Sequence, residues 1–366
     1  LSQESNLTLL QVAAAVLKTF AERNHKPSLE QRSISIEDSA TGQRLRISSD
    51  GLTLSDKMSL EQFMTTHLHA NGISGVSINF ARSGQATDGQ AVPAPPKKTS
   101  SAFGLSLNKL AIPKVRHIVV VASGKGGVGK STVSANLAVA LRVQGLRVGL
   151  MDCDVYGPSA PMLLGVQGEL LINENSKMTP LIGHGVKVVS FGFLTDSRNP
   201  VIWRGPLVSK SIEQFCYDTE WGDLDVMIVD LPPGTGDVQL TIAERLPIHS
   251  AIIVTTPQDI ALIDAHKAVT MFEKLDVPVA GVVENMAWHI CEKCGHEEHL
   301  FGERAFKAFL DERSLPLIAR IPLTAEIRQK SDAGEPPARD QSSLGAAPYF
   351  KIAAHVMDRL GYALKD

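Results

Sequence analysis

Apolar residues recur at helical spacing in LTLLQVAAAVLKTFAER (7–23) and in SLEQFMTTHLHAN (59–71). In the second stretch Ser59 is followed three positions later by Gln62, a capping box, so a helix is expected to begin there. RSISIEDS (32–39) and QRLRISSDG (43–51) alternate as strands do, and GVSINFARS (75–83) is expected as another strand. Residues 1–82 are therefore expected to form a small α/β sandwich. This region has no cysteine, and His67 and His69 are expected at its surface. Residues 83–112 lose all period and are rich in Pro, Gly, Ser and Ala, the composition of a flexible linker.

From Pro113 the pattern changes to strands alternating with helices. RHIVVVAS, RVGLMDCD, VKVVSFGF, DVMIVDLPP, SAIIVTTP and VPVAGVVENM read as buried strands. KSTVSANLAVALRVQG reads as a helix closed by Gly145, and DIALIDAHKAVTMFEKL as another. Such alternation argues for an α/β fold over residues 113–366, a mainly parallel sheet flanked by helices. Ligands of such folds bind beyond the carboxyl ends of the strands. The C-terminal stretch PYFKIAAHVMDRLGYALKD is amphipathic with few basic residues, and is expected to pack on its own domain.

Composition narrows the field. The chain has 366 residues, enough for two domains, and its net charge of −3 gives no electrostatic footprint for nucleic acid. No run of about 18 apolar residues suggests a membrane span. The start, LSQESNLTLL, lacks both an initiator Met and the basic-then-apolar order of a secretory signal. Four cysteines with one close pair make no disulfide framework, so a reducing, cytoplasmic setting is expected.

The chemistry concentrates at strand ends. VASGKGGVGKST (121–132) matches the phosphate-binding pattern G-x-x-x-x-G-K-S between a strand and a helix. Glycines at Gly124, Gly126, Gly127 and Gly129 let the backbone turn N–H groups inward, with Val128, Ser131 and Thr132 completing the cradle. Lys130 supplies charge to the β- and γ-phosphates, and Ser131 a hydroxyl to Mg²⁺. Asp230 ends an apolar strand, where a carboxylate would order that metal. The PPGTG turn after it is placed to sense the γ-phosphate. Asp152 and Asp154 end another strand, and period-two alternation would point both toward the phosphates. One would help the metal, the other the attacking water; the plain alternative for either is a capping role.

The second lysine, Lys125, makes the loop K-G-G-x-G-K-S. It resembles the deviant Walker A motif of MinD/ParA-type ATPases, which implies that Lys125 reaches across a dimer to the partner's phosphates. Cys291 and Cys294 in CEKCGH can grip one edge of a metal site, but four ligands are wanted. A two-fold axis near the pair would supply four thiolates. An intrachain Cys₂His₂ zinc site with His289, His296 or His299 remains open, as do a redox pair and a structural pair. Cys153 and Cys216 are expected to be structural.

Taken in order, SGKGGVGKST, MDCDVYGPSAPMLLG, VIWRGPLVSK, VDLPPGTGDVQLT, VVTTPQDIALIDAHKAV (with Ile253 in place of its first Val), GVVENMAWHICEKCGH and IPLTAEIRQKSDAGEP resemble the Mrp/ApbC P-loop iron–sulfur carrier proteins over about 113–340. The resemblance implies a homodimer that binds and hydrolyses ATP with Mg²⁺. It also implies a labile [4Fe–4S] cluster bridged by Cys291 and Cys294 of two chains and passed to apo iron–sulfur proteins, with no nucleic acid or membrane partner. The family pattern places Asn285 on the adenine ring. Residues 1–82 only loosely resemble the small domain that often precedes such ATPases, and the step after Glu303 lacks the usual glycines. No role for WRGP (203–206) follows from the sequence. Rival readings are a MinD/ParA-like positioning ATPase and a zinc-stabilised regulatory or metal-insertion ATPase.

Overall fold

The computed structural model describes residues 3–23, 34–39, 42–48, 52, 54–73, 76–81, 111–175, 177–194, 205–291, 293–302, 304–343 and 345–364. The linker predicted at 83–112 lies almost wholly outside them, as do Trp203, Arg204 and Glu303. The chain divides into two compact units, Leu1–Ala94 and Pro95–Asp366.

The first unit contains α1 (Gln3–Arg23), β1 (Ile34–Ser39), β2 (Gly42–Ser48), α2 (Leu54–Ala70) and β3 (Val76–Ala81). Its sheet runs β1-β2-β3, the first pair antiparallel and the second parallel. Helical spacing explains the core: Leu9, Ala13, Val16, Leu17 and Phe20 of α1 meet Leu60, Met64 and Leu68 of α2 over Leu45, Ile47 and Ile78. Ser59 does not cap α2. The helix starts at Leu54, five residues earlier, with Asp56 in its first turn, where a carboxylate favours the helix dipole. The Ser59–Gln62 pattern is a chance match inside a helix already under way. His69 is exposed; His67 is half-buried and stacked on Phe63 at 3.9 Å.

The second unit begins with β4 (Val115–Ala122), α3 (Lys130–Val143), β5 (Val148–Asp152), α4 (Ala160–Leu163), β6 (Leu181–Gly183) and β7 (Val186–Ser190). It continues with α5 (Gly205–Tyr217), β8 (Leu224–Asp230), α6 (Asp237–Arg245), β9 (Ser250–Thr255), α7 (Asp259–Lys274) and β10 (Val279–Ile290). It ends with β11 (Glu297–Glu298), α8 (Arg304–Arg313), β12 (Leu317–Leu323), α9 (Ala325–Asp332) and α10 (Ala347–Arg359). The sheet order is β11-β10-β9-β4-β8-β5-β7-β6, and β12 pairs with β10 as well. Pairing is parallel except for β6–β7 and β10–β11 among the described residues. Every residue of β8 and β9 is buried, as expected of central strands covered on both faces.

Gly145 ends α3 as expected. At φ +93° it lets Leu146 N donate to Leu141 O (3.1 Å), a Schellman closure. α10 buries Tyr349, Ile352, Ala353, Val356 and Met357 and packs on α3 and β12, so its apolar face belongs to the domain core. Because the strands are parallel, the carboxyl ends of β4, β5, β8, β9 and β10 share one edge of the sheet, and the site lies there.

Candidate functional site

The phosphate loop joins β4 to α3. Gly129 is the N-cap of α3, in the left-handed region at φ +82°, with no side-chain cap. The first N–H groups of α3 are thus left for a ligand. Close approach fixes two of the glycines. A Cβ on Gly124 would overlap the backbone of Asp264 and Ala265 in α7, and one on Gly129 would overlap the Asn285 amide. Asn285 Nδ2 donates to Val128 O (2.8 Å), so the end of β10 holds the loop from the side. Gly234 of the PPGTG turn donates its N–H to Ser123 O (3.0 Å) and ties that turn to the loop.

Lys130 is 5% exposed and is gripped by carboxylates. Its Nζ lies 2.9 Å from Asp230 Oδ1 and 3.5 Å from Asp154 Oδ2, and donates to Ser131 Oγ at 3.1 Å. Burial alone would lower its pKa. Asp230, then Asp154 and Asp152, outweigh burial and hold it above the usual lysine value. The ammonium stays charged without solvent.

The three aspartates are not equivalent. Asp230 is fully buried; its Oδ1 takes Lys130 and the Ser134 hydroxyl (2.6 Å), but its Oδ2 has no hydrogen-bond partner. A buried carboxylate oxygen left over beside the Ser131 hydroxyl suits a hydrated Mg²⁺. Asp152, in register with Asp230 on the neighbouring strand, has both oxygens in use. Oδ1 accepts from Asp154 N (3.1 Å), and Oδ2 from Ala160 N (3.1 Å) and Ser190 Oγ (2.8 Å). Burial, then repulsion from Asp230, pushes its pKa up to about 7. This is the capping alternative: Asp152 anchors the loop after β5. The alternation argument fails because β5 ends at Asp152. Asp154 reaches Lys130 from beyond the strand, its Oδ1 accepting from Gly157 N (3.2 Å). Lys125 Nζ is held by Gln258 Oε1 at 3.2 Å.

Two cavities meet at this edge. One of about 440 Å³ is lined by the loop from Lys125 to Thr132 (Val128 apart) with Asp154, Tyr156 and Pro233. The other, about 540 Å³, lies between Asn285, Met286 and the Pro322–Ile327 segment. They share Gly129, Thr132 and Ser159. A phosphate chain on the loop can therefore extend into a second, more apolar chamber. The walls from β12 and α9 were not singled out from the sequence as site residues, because β12 carries no strong alternation; only the motif IPLTAEIRQKSDAGEP marked the segment.

β10 continues past Asn285 to the cysteine pair. Cys291 is half-buried and Cys294 exposed. The β10–β11 hairpin closes through Cys291 N to His296 O (3.0 Å) and Gly295 N to Cys291 O (2.8 Å), with Gly295 at φ +69°. Among the described residues, no group of three or more His, Cys, Asp or Glu side chains comes together to hold a metal ion, so the intrachain Cys₂His₂ set is not assembled. Cys153 and Cys216 are fully buried, and burial pushes the Cys216 thiol up to about 12 and Cys153 well above its ordinary value. Both remain protonated and inert, in keeping with structural roles.

A sequence profile within the ParA group, described as NUBPL iron-transfer P-loop NTPase, matches residues 114–357, two thirds of the chain. The chain belongs to this family. The iron–sulfur cluster carrier protein of Pseudomonas fragi is 50% identical over 242 residues, covering 65% of this chain and 84% of that one. The Escherichia coli K12 protein of the same description is 44% identical over 256 residues, 69% of each chain. The mouse iron–sulfur cluster transfer protein NUBPL is 46% identical over 249 residues, 67% of this chain and 78% of that one. Among solved structures, an Archaeoglobus fulgidus nucleotide-binding protein in complex with ADP superposes with a TM-score of 0.57 at 36% identity, covering 65% of this chain and 93% of that one. The MinC:MinD complex of Aquifex aeolicus, at TM-score 0.50 and 21% identity over 69% of this chain and 98% of that one, shares the fold. The mainly parallel α/β architecture and the P-loop NTPase family expected from the sequence are thus both established. No helix among the described residues is long and apolar enough to cross a membrane.

Proposed function

We propose that this chain is an ATP-hydrolysing carrier of [4Fe–4S] clusters that works as a homodimer in a reducing, cytoplasmic compartment and delivers its cargo to apo iron–sulfur proteins. The observation that carries the reading is a mismatch on one strand. β10 joins a finished nucleotide cradle to a cysteine pair that lacks further ligands among the described residues. A second copy supplies the other two thiolates.

In this reading the N–H groups of Gly126–Thr132 and the Lys130 ammonium hold the β- and γ-phosphates. Ser131 and Asp230 hold Mg²⁺, which neutralises phosphate charge. Asp154 orients the attacking water, Asn285 faces the adenine, and Asp152 supports the metal site by fixing the loop behind it. Lys125 leaves Gln258 and reaches the partner's phosphates. Apolar side chains flank it: Tyr156 is 73% exposed, and Ile260 and Ile263, just beyond Gln258, are 63% and 55% exposed. That surface suits burial against a second copy.

The test is anaerobic reconstitution with iron and sulfide, in the wild type and in Cys291→Ala. About four irons and four sulfides per dimer, absent from the variant, are expected. One zinc per chain, indifferent to sulfide, would remove the carrier reading.

A further inference from the structure

We propose that Ser331 reads the nucleoside of the bound nucleotide. The proposal rests on the nucleotide reading above and adds a recognition residue to the chamber beside the phosphate loop.

Buried hydroxyls on helices usually turn back onto the carbonyl four residues earlier. This chain follows the habit: Ser134 donates to Lys130 O (3.1 Å), Ser211 to Leu207 O (3.0 Å) and Thr270 to His266 O (2.9 Å). Ser331, in the last turn of α9, does not. It is 8% exposed, its Oγ has no hydrogen-bond partner, and it lines the 540 Å³ cavity. A buried hydroxyl left without a partner costs free energy unless something arrives to satisfy it.

The other polar groups examined around this chamber already have partners. Asn285 Nδ2 is bonded to Val128 O, Thr324 Oγ caps α9 by accepting from Ile327 N (3.3 Å), and Arg328 is paired with Asp332 at 3.0 Å. The remaining walls include Met286, Pro322, Leu323 and Ile327, apolar surfaces suited to a flat base. Phosphates on the loop extend a nucleoside through the shared boundary at Gly129 and Thr132 into this space. The Ser331 hydroxyl, both donor and acceptor, then meets a polar atom of the base or ribose.

The full-length chain is titrated with ATP and, separately, with tripolyphosphate, which carries the phosphates and no nucleoside. Ser331→Ala is expected to weaken ATP binding about 5- to 20-fold and to leave tripolyphosphate binding unchanged. A change within twofold for ATP, or an equal loss for both ligands, overturns the assignment while the nucleotide reading stands. Wild-type protein that binds neither ligand overturns both. If Ser331→Ala does not fold, Ser331→Cys is alkylated with a maleimide and the peptide containing position 331 is followed by mass spectrometry. ATP should shield that thiol and tripolyphosphate should not; equal alkylation with the two ligands overturns the proposal.

Discussion

Lys130 is 5% exposed and clasped by carboxylates, whereas Cys294 stands in solvent on a turn shaped by Gly295. The phosphate loop is fixed from several directions: by α7 under Gly124, by Asn285 at Val128 and by the PPGTG turn at Ser123. The cysteine hairpin is closed by its own backbone bonds on two short strands. One region is organised before its ligand arrives, and the other leaves its ligating atoms accessible. Preorganisation suits a charged ligand, which gains most from dipoles already in place. Accessibility suits a cargo that must enter and leave.

The contrast can be broken most severely at Lys130. Lys130→Ala removes the one cation facing Asp230 and Asp154, and nucleotide turnover should fall about 100-fold or more in a steady-state phosphate-release assay. Retained turnover would show that the cradle is not the working site. Gly124→Ala tests the packing instead: its Cβ would enter the Asp264–Ala265 backbone, and denaturant titration should show a loss of about 1–3 kcal/mol.

A third test addresses the opposite edge of the sheet through pH. The Arg147 guanidinium grips Asp225 at 2.8 and 3.0 Å and holds its carboxyl at about 2, below the ordinary 3.8. A carboxyl whose folded pKa is depressed stabilises fully above its unfolded pKa and less as pH falls through the folded one. The stability gap between wild type and Asp225→Asn should therefore be constant above about pH 5 and close between about pH 4 and 2. A gap that persists at pH 2 would assign it to packing. The smallest effect is expected at the hairpin: Cys294→Ala should shift unfolding of the metal-free protein by no more than about 0.5 kcal/mol. A larger loss would mean that the thiol is a structural element after all.

The features read from sequence are those whose physics is local. The glycines, Lys130 and Asp230 declare a phosphate site because a strand, a tight loop and a helix N-terminus follow within about 20 residues, or one strand away. Gly145 declares its helix end for the same reason. Readings that depended on where an element starts or stops went astray. The Ser59 cap falls inside α2, and alternation could not aim Asp154, which lies beyond the end of β5. The second chamber was not legible at all. Its walls come from β10, β12 and α9 and meet only once the sheet is assembled. The unsatisfied oxygens of Asp230 and Ser331 are likewise properties of burial, which composition does not reveal.

β10 has one more implication. Asn285 and Cys291 are six residues apart on a single strand and its immediate end, so roughly 20 Å separates them at about 3.3 Å per residue. No loop lies between them to take up slack. Adding one residue would turn every later side chain to the opposite face, thiols included; adding two would restore the faces and lengthen the reach by about 6.6 Å. The spacing between the nucleotide end and the thiol end is therefore quantised, and evolution can tune it only in paired steps.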